Sequence, residues 1–130
     1  MARRPFRFPA SDRDEKVLAR LRKRCLALPG VTETASFGHP NFRVGKKIFA
    51  AFEPVQSRPS IAFKLGAEAA TLTLVSDGRF FPTPHGRGHW VSLWSDVKLD
   101  WKEIAELLLQ SYRTTAPKRL LKEFQLETSG

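Results

Sequence analysis

The run Ser36 to Glu53, SFGHPNFRVGKKIFAAFE, limits the fold more than any other part of the chain. Phe42 and Val44 alternate with Arg43, and beyond Gly45, Lys46 and Lys47 the residues Ile48, Ala50 and Phe52 alternate again with their neighbours. Successive side chains of a strand point to opposite faces, so each half of the run reads as a strand with one buried face. A glycine between two such halves supplies the positive φ that a tight hairpin needs. The run predicts a β-hairpin with a buried apolar face and a cationic tip, at which Arg43, Lys46 and Lys47 meet solvent or a polyanion. A ribbon of that kind is a wing.

Amphipathic helices are expected on either side of it. Ser11 is a favourable N-cap with Asp12, Asp14 and Glu15 in the first turn, and Val17, Leu18, Leu21, Cys25 and Leu28 share one helical face until Pro29 and Gly30 end it. Asp100 caps a second long helix with the stripe Trp101, Ile104, Leu108 and Tyr112, and Lys118 to Phe124 add another turn or two beyond Pro117. Ser60 to Leu65 reads as a strand with Ile61, Phe63 and Leu65 inward, Trp90 to Trp94 as a central strand, and residues 67–76 as a short helix closed by Asp77 and Gly78. Pro54 to Pro59 reads as a loop carrying Arg58, Phe80 to Pro84 as too proline-rich for a central strand, and His85 to His89 as a glycine-rich loop. The expected fold is α+β: an antiparallel sheet of about five strands, packed on one face by the N- and C-terminal helices, with Phe49, Phe63, Leu93, Ile104 and Leu108 buried together. Residues 1–10, with Arg3, Arg4 and Arg7, read as a basic flexible arm, residues 11–124 as a single domain, and 125–130 as a flexible tail.

With 22 Lys and Arg against 13 Asp and Glu, the formal net charge is +9, which favours an anionic partner. The outer face of the first helix contributes Arg13, Lys16, Arg20, Arg22, Lys23 and Arg24, either as a phosphate-meeting surface or as an ordinary solvated face. Cys25 is the single cysteine, so there is no internal disulfide and no thiolate metal site, and a cytoplasmic location is expected. Its apolar helical setting reads as core rather than as a nucleophile. No apolar run long enough for a secretory signal or a membrane span is present, so a soluble protein with no membrane partner is expected.

Together with LALPGVTE (Leu26 to Glu33), HWVSL (His89 to Leu93) and SYRTTAPKRL (Ser111 to Leu120), the hairpin run resembles the MmcQ/YjbR family of small bacterial proteins. The resemblance spans roughly residues 15 to 122, with its pieces in the family's order. It implies a frataxin-like fold, a curved antiparallel sheet with helices on one side, and a double wing of two hairpins acting on DNA. At the family's recognisable stretches, RVGKKIFA and HWVSL, stand Arg43, Gly45, Lys46, Lys47, His89 and Trp90. A turn accounts for Gly45 and core packing for Trp90, which leaves Arg43, Lys46, Lys47 and His89 with chemistry that folding does not use.

Catalysis is not expected. No serine has a G-x-S-x-G setting, no glycine-rich phosphate cradle is present, and Glu33, Glu53 and Glu68, the carboxylates near the sheet, have no partner that the sequence names. His85 and His89 lie four apart around Arg87, but two imidazoles on a glycine-rich loop lack the third ligand of a zinc site, and a first helix that is cationic on its outer face does not suit iron, a hard cation that wants carboxylate oxygens, so no metal and no cofactor are expected. The reading is a nucleic-acid-binding domain, most naturally on duplex DNA, using Arg43, Lys46 and Lys47 on a first wing, Arg58 and Lys64 on a second, and Arg87 and His89 in the histidine loop. Its rivals are an adaptor for an acidic protein and a small-molecule sensor that uses the His85 to Trp90 loop over a pocket roofed by Phe80 and Phe81.

Overall fold

The computed structural model describes residues 8–76, 78–84 and 88–129. Ten elements follow in the order α1 (Asp12–Leu26), β1 (Val31–Ser36), β2 (His39–Val44), β3 (Lys47–Val55), β4 (Arg58–Lys64), α2 (Ala67–Ser76), β5 (Phe80–Pro82), β6 (Trp90–Trp94), α3 (Trp101–Thr115) and α4 (Lys118–Ser129). The strands form one six-stranded antiparallel sheet in the order β1-β2-β3-β4-β6-β5. The α+β class and the antiparallel sheet agree with the sequence reading, and the strand count exceeds it by one.

Three hairpins in succession, each closed by two residues, make β1 to β4 a meander. Gly45 (φ 62°) opens the β2–β3 turn, where Val44 pairs with Lys47. The other two turns use residues that give little sequence signal: Phe37 (φ 52°) with Gly38, and Gln56 (φ 51°) with Ser57 (φ 64°), all in the left-handed region. This is why the expected Pro54 to Pro59 loop is not a loop. Both prolines sit inside strands as partners of one another, and the turn is Gln56–Ser57 alone.

α1 lies against β1, and α3 crosses β3 and β4, so one face of the sheet is covered. Phe42, Phe49, Phe52, Ile61, Phe63, Val91 and Leu93 are buried there with Leu18, Leu21, Ile104, Leu108 and Tyr112. The five residues expected to be buried together are all in this core. Phe49 meets Tyr112 edge-on with ring centroids 5.9 Å apart. The caps are where the sequence put them: Ser11 Oγ accepts from the Asp14 amide at 3.1 Å, and Asp100 accepts from the amides of Lys102 and Glu103. Buried Asp14 also accepts from the Ala10 amide at 3.0 Å, and the Phe8 ring packs 4.6 Å from that of Phe52, so the last residues of the arm are docked. Residues 1–7, with Arg3, Arg4 and Arg7, lie outside the described residues.

α4 runs on through Ser129, into the stretch read from sequence as a tail. It is fastened at its start. Leu120 is buried against Gly30, while the Tyr112 hydroxyl donates to the Pro29 carbonyl at 2.8 Å. Gly30 has φ 74°, and a Cβ there would lie 2.6 Å from Leu120 Cδ1. Gly30→Ala should therefore destabilise the fold by about 1–3 kcal/mol, because a left-handed non-glycine residue and a tight contact add. Urea unfolding checks this, and the cost should be smaller in a Leu120→Ala background, where the contact is gone.

Candidate functional site

Pairing register assigns every strand residue to one of two faces. On the face away from the helices, one row across the sheet reads Thr34, Asn41, Ala51, Ala62, Ser92 and Phe81, each paired with the next. From Asn41 to Ser92 the row is made of small or short side chains, all buried. On one side it is bordered by His39, Glu53, Ser60 and Trp94, on the other by Arg43, Ile48, Lys64 and Trp90. The result is a cleft of about 830 Å³ on the open face, lined by His39, Asn41, Ile48, Ala51, Glu53 and Trp90 and with Phe37 at its rim.

A bulge between Phe42 and Arg43 sets this arrangement. Phe42 pairs with Ala50 but Arg43 with Ile48, so Phe49 is the extra residue. Phe49 and Ala50 both face the core, Ile48 goes to the open face, and Ala51 and Glu53 follow it there. Sequence alternation alone grouped Ile48 with Ala50 and Phe52; the bulge corrects that grouping. Trp90, expected in the core, is half-buried and lines the cleft instead.

His39 and Glu53 are the pair that sequence reading missed. Nδ1 and Oε2 stand 3.8 Å apart, and Nδ1 is buried with no hydrogen-bond partner. Burial alone lowers the His39 imidazole below its ordinary 6.5 and raises the Glu53 carboxyl above its ordinary 4.5. Nothing in sequence spacing joins positions 39 and 53; only the register through the bulge does. Beside them Asn41 Oδ1 accepts from the Thr34 hydroxyl, whose oxygen accepts from Arg43 Nε at 3.0 Å.

The expected wing residues separate into structural and free groups. Arg43 also donates to the Lys46 carbonyl at 3.0 Å and so braces the β2–β3 tip. Arg58 grips Asp96 with two bonds of 2.8 Å and lies 3.9 Å over the Trp94 ring. That pairing holds the Asp96 carboxyl below its usual range. Lys46 and Lys47 are exposed with no partner, Lys64 is half-buried, and His89 is exposed with its carbonyl accepting from the Leu65 amide. Arg87 and His85 lie outside the described residues, as does Asp77. The Lys46–Lys47 tip and the Gln56–Ser57 tip stand at opposite ends of β3, roughly 25 Å apart at the rise of a strand. They do not form a side-by-side pair.

The face of α1 is likewise partly spent: Arg13 donates to the Ser95 and Val97 carbonyls, Arg22 pairs with Glu33 at 2.7 Å, and Arg20 lies 4.4 Å over the Trp101 ring. Lys16, Lys23 and Arg24 are left to solvent. At the β2–β3 tip the outcome differs. A Cβ at Gly45 would lie 3.5 Å from Pro117 Cγ, so the tip abuts the joint between α3 and α4. Lys46 and Lys47 follow Gly45 in the chain, and Lys118 and Arg119 follow Pro117; all four are exposed and unpaired.

Cys25 is fully buried, and desolvation pushes its thiol up to about 12, so it is no thiolate. Among the described residues no group of three or more His, Cys, Asp or Glu side chains is placed to hold a metal, and no helix is long and apolar enough to cross a membrane. Phe80 faces the core while Phe81 stacks on Trp94 on the open face, so the two do not roof one pocket.

The YjbR family model matches residues 26–114, more than half of the chain. The chain belongs to the YjbR family. Among solved structures, a Deinococcus radiodurans protein with a DUF419 domain is 25% identical, with a TM-score of 0.67 over 83% of this chain and 87% of that one. A Pseudomonas syringae protein shares the fold at 17% identity, with a TM-score of 0.63 over 78% of this chain and 97% of its own. No curated protein matches. The YjbR match covers β1 to β6 and most of α3, so both the cleft and the β2–β3 tip lie inside it, while α4 lies beyond.

The two shifted groups give opposite pH slopes. Folded His39 resists protonation, so stability is lost as pH falls through 6.5 toward its lowered value. Folded Glu53 holds its proton longer than the unfolded chain, so its contribution is present below 4.5 and lost as pH rises through its raised value. Urea midpoints between about pH 5 and pH 8 should show His39→Gln losing less stability than wild type on acidification, and Glu53→Gln losing less on the return to neutral pH.

Proposed function

We propose that this YjbR-family domain binds nucleic acid through phosphate contacts at one end of the molecule, without catalysis. The observation that carries the reading is the close approach of Gly45 to Pro117, which puts the hairpin tip of Lys46 and Lys47 at the helix start of Lys118 and Arg119. These four cations come from two elements and make no ion pair. Lys64 and His89, at the same end of the sheet, border the patch.

Folding gives no reason for Lys118 and Arg119. The amino end of a helix carries partial positive charge from its free amides, and cations there oppose it, each by about 0.3–1 kcal/mol. α4 has no acidic residue in its first turn to offset them. An anion meeting this end would find free amides, two lysines and two further cations, the combination that favours phosphate oxygens.

The reading is narrower than a double wing. It uses one hairpin tip and one helix start, and it leaves Arg58 and Arg43 to structural work. Phosphate contacts carry no sequence information, so affinity for unrelated duplexes should be similar and should fall steeply with salt.

Fluorescence anisotropy with two unrelated duplexes, titrated at several salt concentrations, tests it. Lys46→Glu with Lys47→Glu, and Lys118→Glu with Arg119→Glu, should each weaken binding to both duplexes and reduce the slope of log affinity against log salt by roughly one per lost contact. The second pair should also unfold no more easily than wild type, since acid replaces base at a helix start. Arg58→Ala should lower the melting temperature and leave the slope unchanged. Absence of duplex binding at about 50 mM salt would reject the proposal, and co-purification with one acidic protein would favour the adaptor reading instead.

A further inference from the structure

The open-face cleft is separate from the cationic end, and its chemistry is different. We propose that it is a binding site for a small aromatic amine, with the ring on the Asn41–Ala51–Ala62 floor and the ammonium against Glu53.

The floor comes first. Three adjacent strands each contribute a small or short side chain at the same level, and the like-facing residues on either side are about 7 Å away along each strand. That leaves a flat trough about as wide as one aromatic ring. Ile48 and Trp90 border it on one side, and Phe37 stands at the rim. Phe37 is 99% exposed and held at φ 52°. A phenylalanine in a turn conformation that disfavours it, with its ring 6.5 Å from that of His39 and otherwise open to solvent, offers an aromatic face to whatever enters the cleft.

The polar end selects the charge. Glu53 Oε2 and His39 Nδ1 are 3.8 Å apart, too far for a hydrogen bond between them. Neither has another partner. A carboxylate accepts and does not donate, so the group that satisfies Glu53 from the cleft must bring N–H or O–H. A primary ammonium brings three N–H donors and the opposite charge, and would sit about 2.9 Å from a carboxylate oxygen. His39 Nδ1 is closed to solvent, so an incoming cation meets the Glu53 carboxylate beside it, with its apolar body in the trough. The raised carboxyl and lowered imidazole describe the same site from the side of burial: a carboxylate without a cation and an imidazole without a proton. On a chain of net charge +9, a half-buried carboxylate left without an arginine is the exception.

The test uses 2-phenylethylamine as probe, with 2-phenylethanol and phenylacetate as neutral and anionic counterparts, followed by amide and indole chemical shifts of the whole chain. The amine should give saturable shifts at Asn41, Ala51, Ala62 and the Trp90 indole. The alcohol should bind at least about tenfold more weakly, the loss expected for one charge-assisted hydrogen bond, and phenylacetate more weakly still. Glu53→Gln, with its spectrum confirming the fold, should bring the amine to the affinity of the alcohol. Ala62→Leu, on the floor and away from the charge, should block both. Lys46→Glu with Lys47→Glu should change none of this, which keeps the outcome independent of the nucleic-acid reading. The proposal fails if no probe gives saturable shifts up to about 10 mM, the weak limit for a ligand of this size, if amine and alcohol bind alike, or if the shifts cluster outside the cleft.

Discussion

The extra residue in β3 decides which side chains meet helices and which meet solvent. If β2 and β3 kept the register of Arg43 with Ile48, position 39 would face Phe52 rather than Glu53, and Phe52 would leave the core. The bulge at Phe49 absorbs one residue, so Phe42, Phe49, Ala50 and Phe52 all reach α3 and α1. The same slip carries Ala51 and Glu53 to the open face, where they line the cleft with Asn41 and His39. Core and cleft are therefore two results of one local irregularity, and a sequence change that removed the bulge would disturb both together.

The meander imposes a second consequence. Consecutive hairpins must turn at alternate ends of the strands, so the β2–β3 tip is opposite to the tips of β1–β2 and β3–β4. A surplus of charge cannot converge on two neighbouring wings in such a chain unless they are alternate hairpins. Those hairpins here carry Phe37 and Gly38, and Gln56 and Ser57, with no cation in either turn. The arginines and lysines divide accordingly. Arg13, Arg20, Arg22, Arg43, Arg58 and Arg79 hold carbonyls, carboxylates, a hydroxyl or aromatic faces, whereas Lys46, Lys47 and Lys118 are bare, as Arg24 and Arg119 are among the arginines. A planar guanidinium with a fork of donors suits fixed contacts; a hydrated ammonium suits a surface that exchanges ions.

Much of the fold was legible because period and caps are local signals. Ser11, Asp100, Gly45 and the strands around Phe63 and Leu93 announce themselves within a few residues. The missed features have non-local causes. Gln56 and Ser57 adopt positive φ without glycine, held by the pairing of Pro54 with Pro59 on either side. β1 shows weak alternation because it is an edge strand with only one neighbour. The cationic candidates Arg43 and Arg58 looked free because their acceptors, Thr34 and Asp96, are distant in sequence or on another strand. For the same reason Glu53 had no visible partner until the register put His39 beside it.

The open face also departs from what a sheet would choose for its own stability. Asn and Ala are poor strand formers, yet Asn41, Ala51 and Ala62 occupy the same row of three adjacent central strands. On the covered face the neighbouring rows are mostly Phe, Ile, Leu and Val, with Ala50 beside the bulge, and they fill space against the helices. An exposed sheet face that only met water would be served as well by threonine, which favours strands and tolerates solvent, as Thr32 and Thr34 do at the edge. A row of short side chains across the middle of the sheet, walled by Trp90 on one side and by an unsatisfied His39–Glu53 pair on the other, sets propensity aside for shape. Conflicts between local preference and global fold are expected where a surface is used for something other than folding, and here the conflict coincides with the cleft.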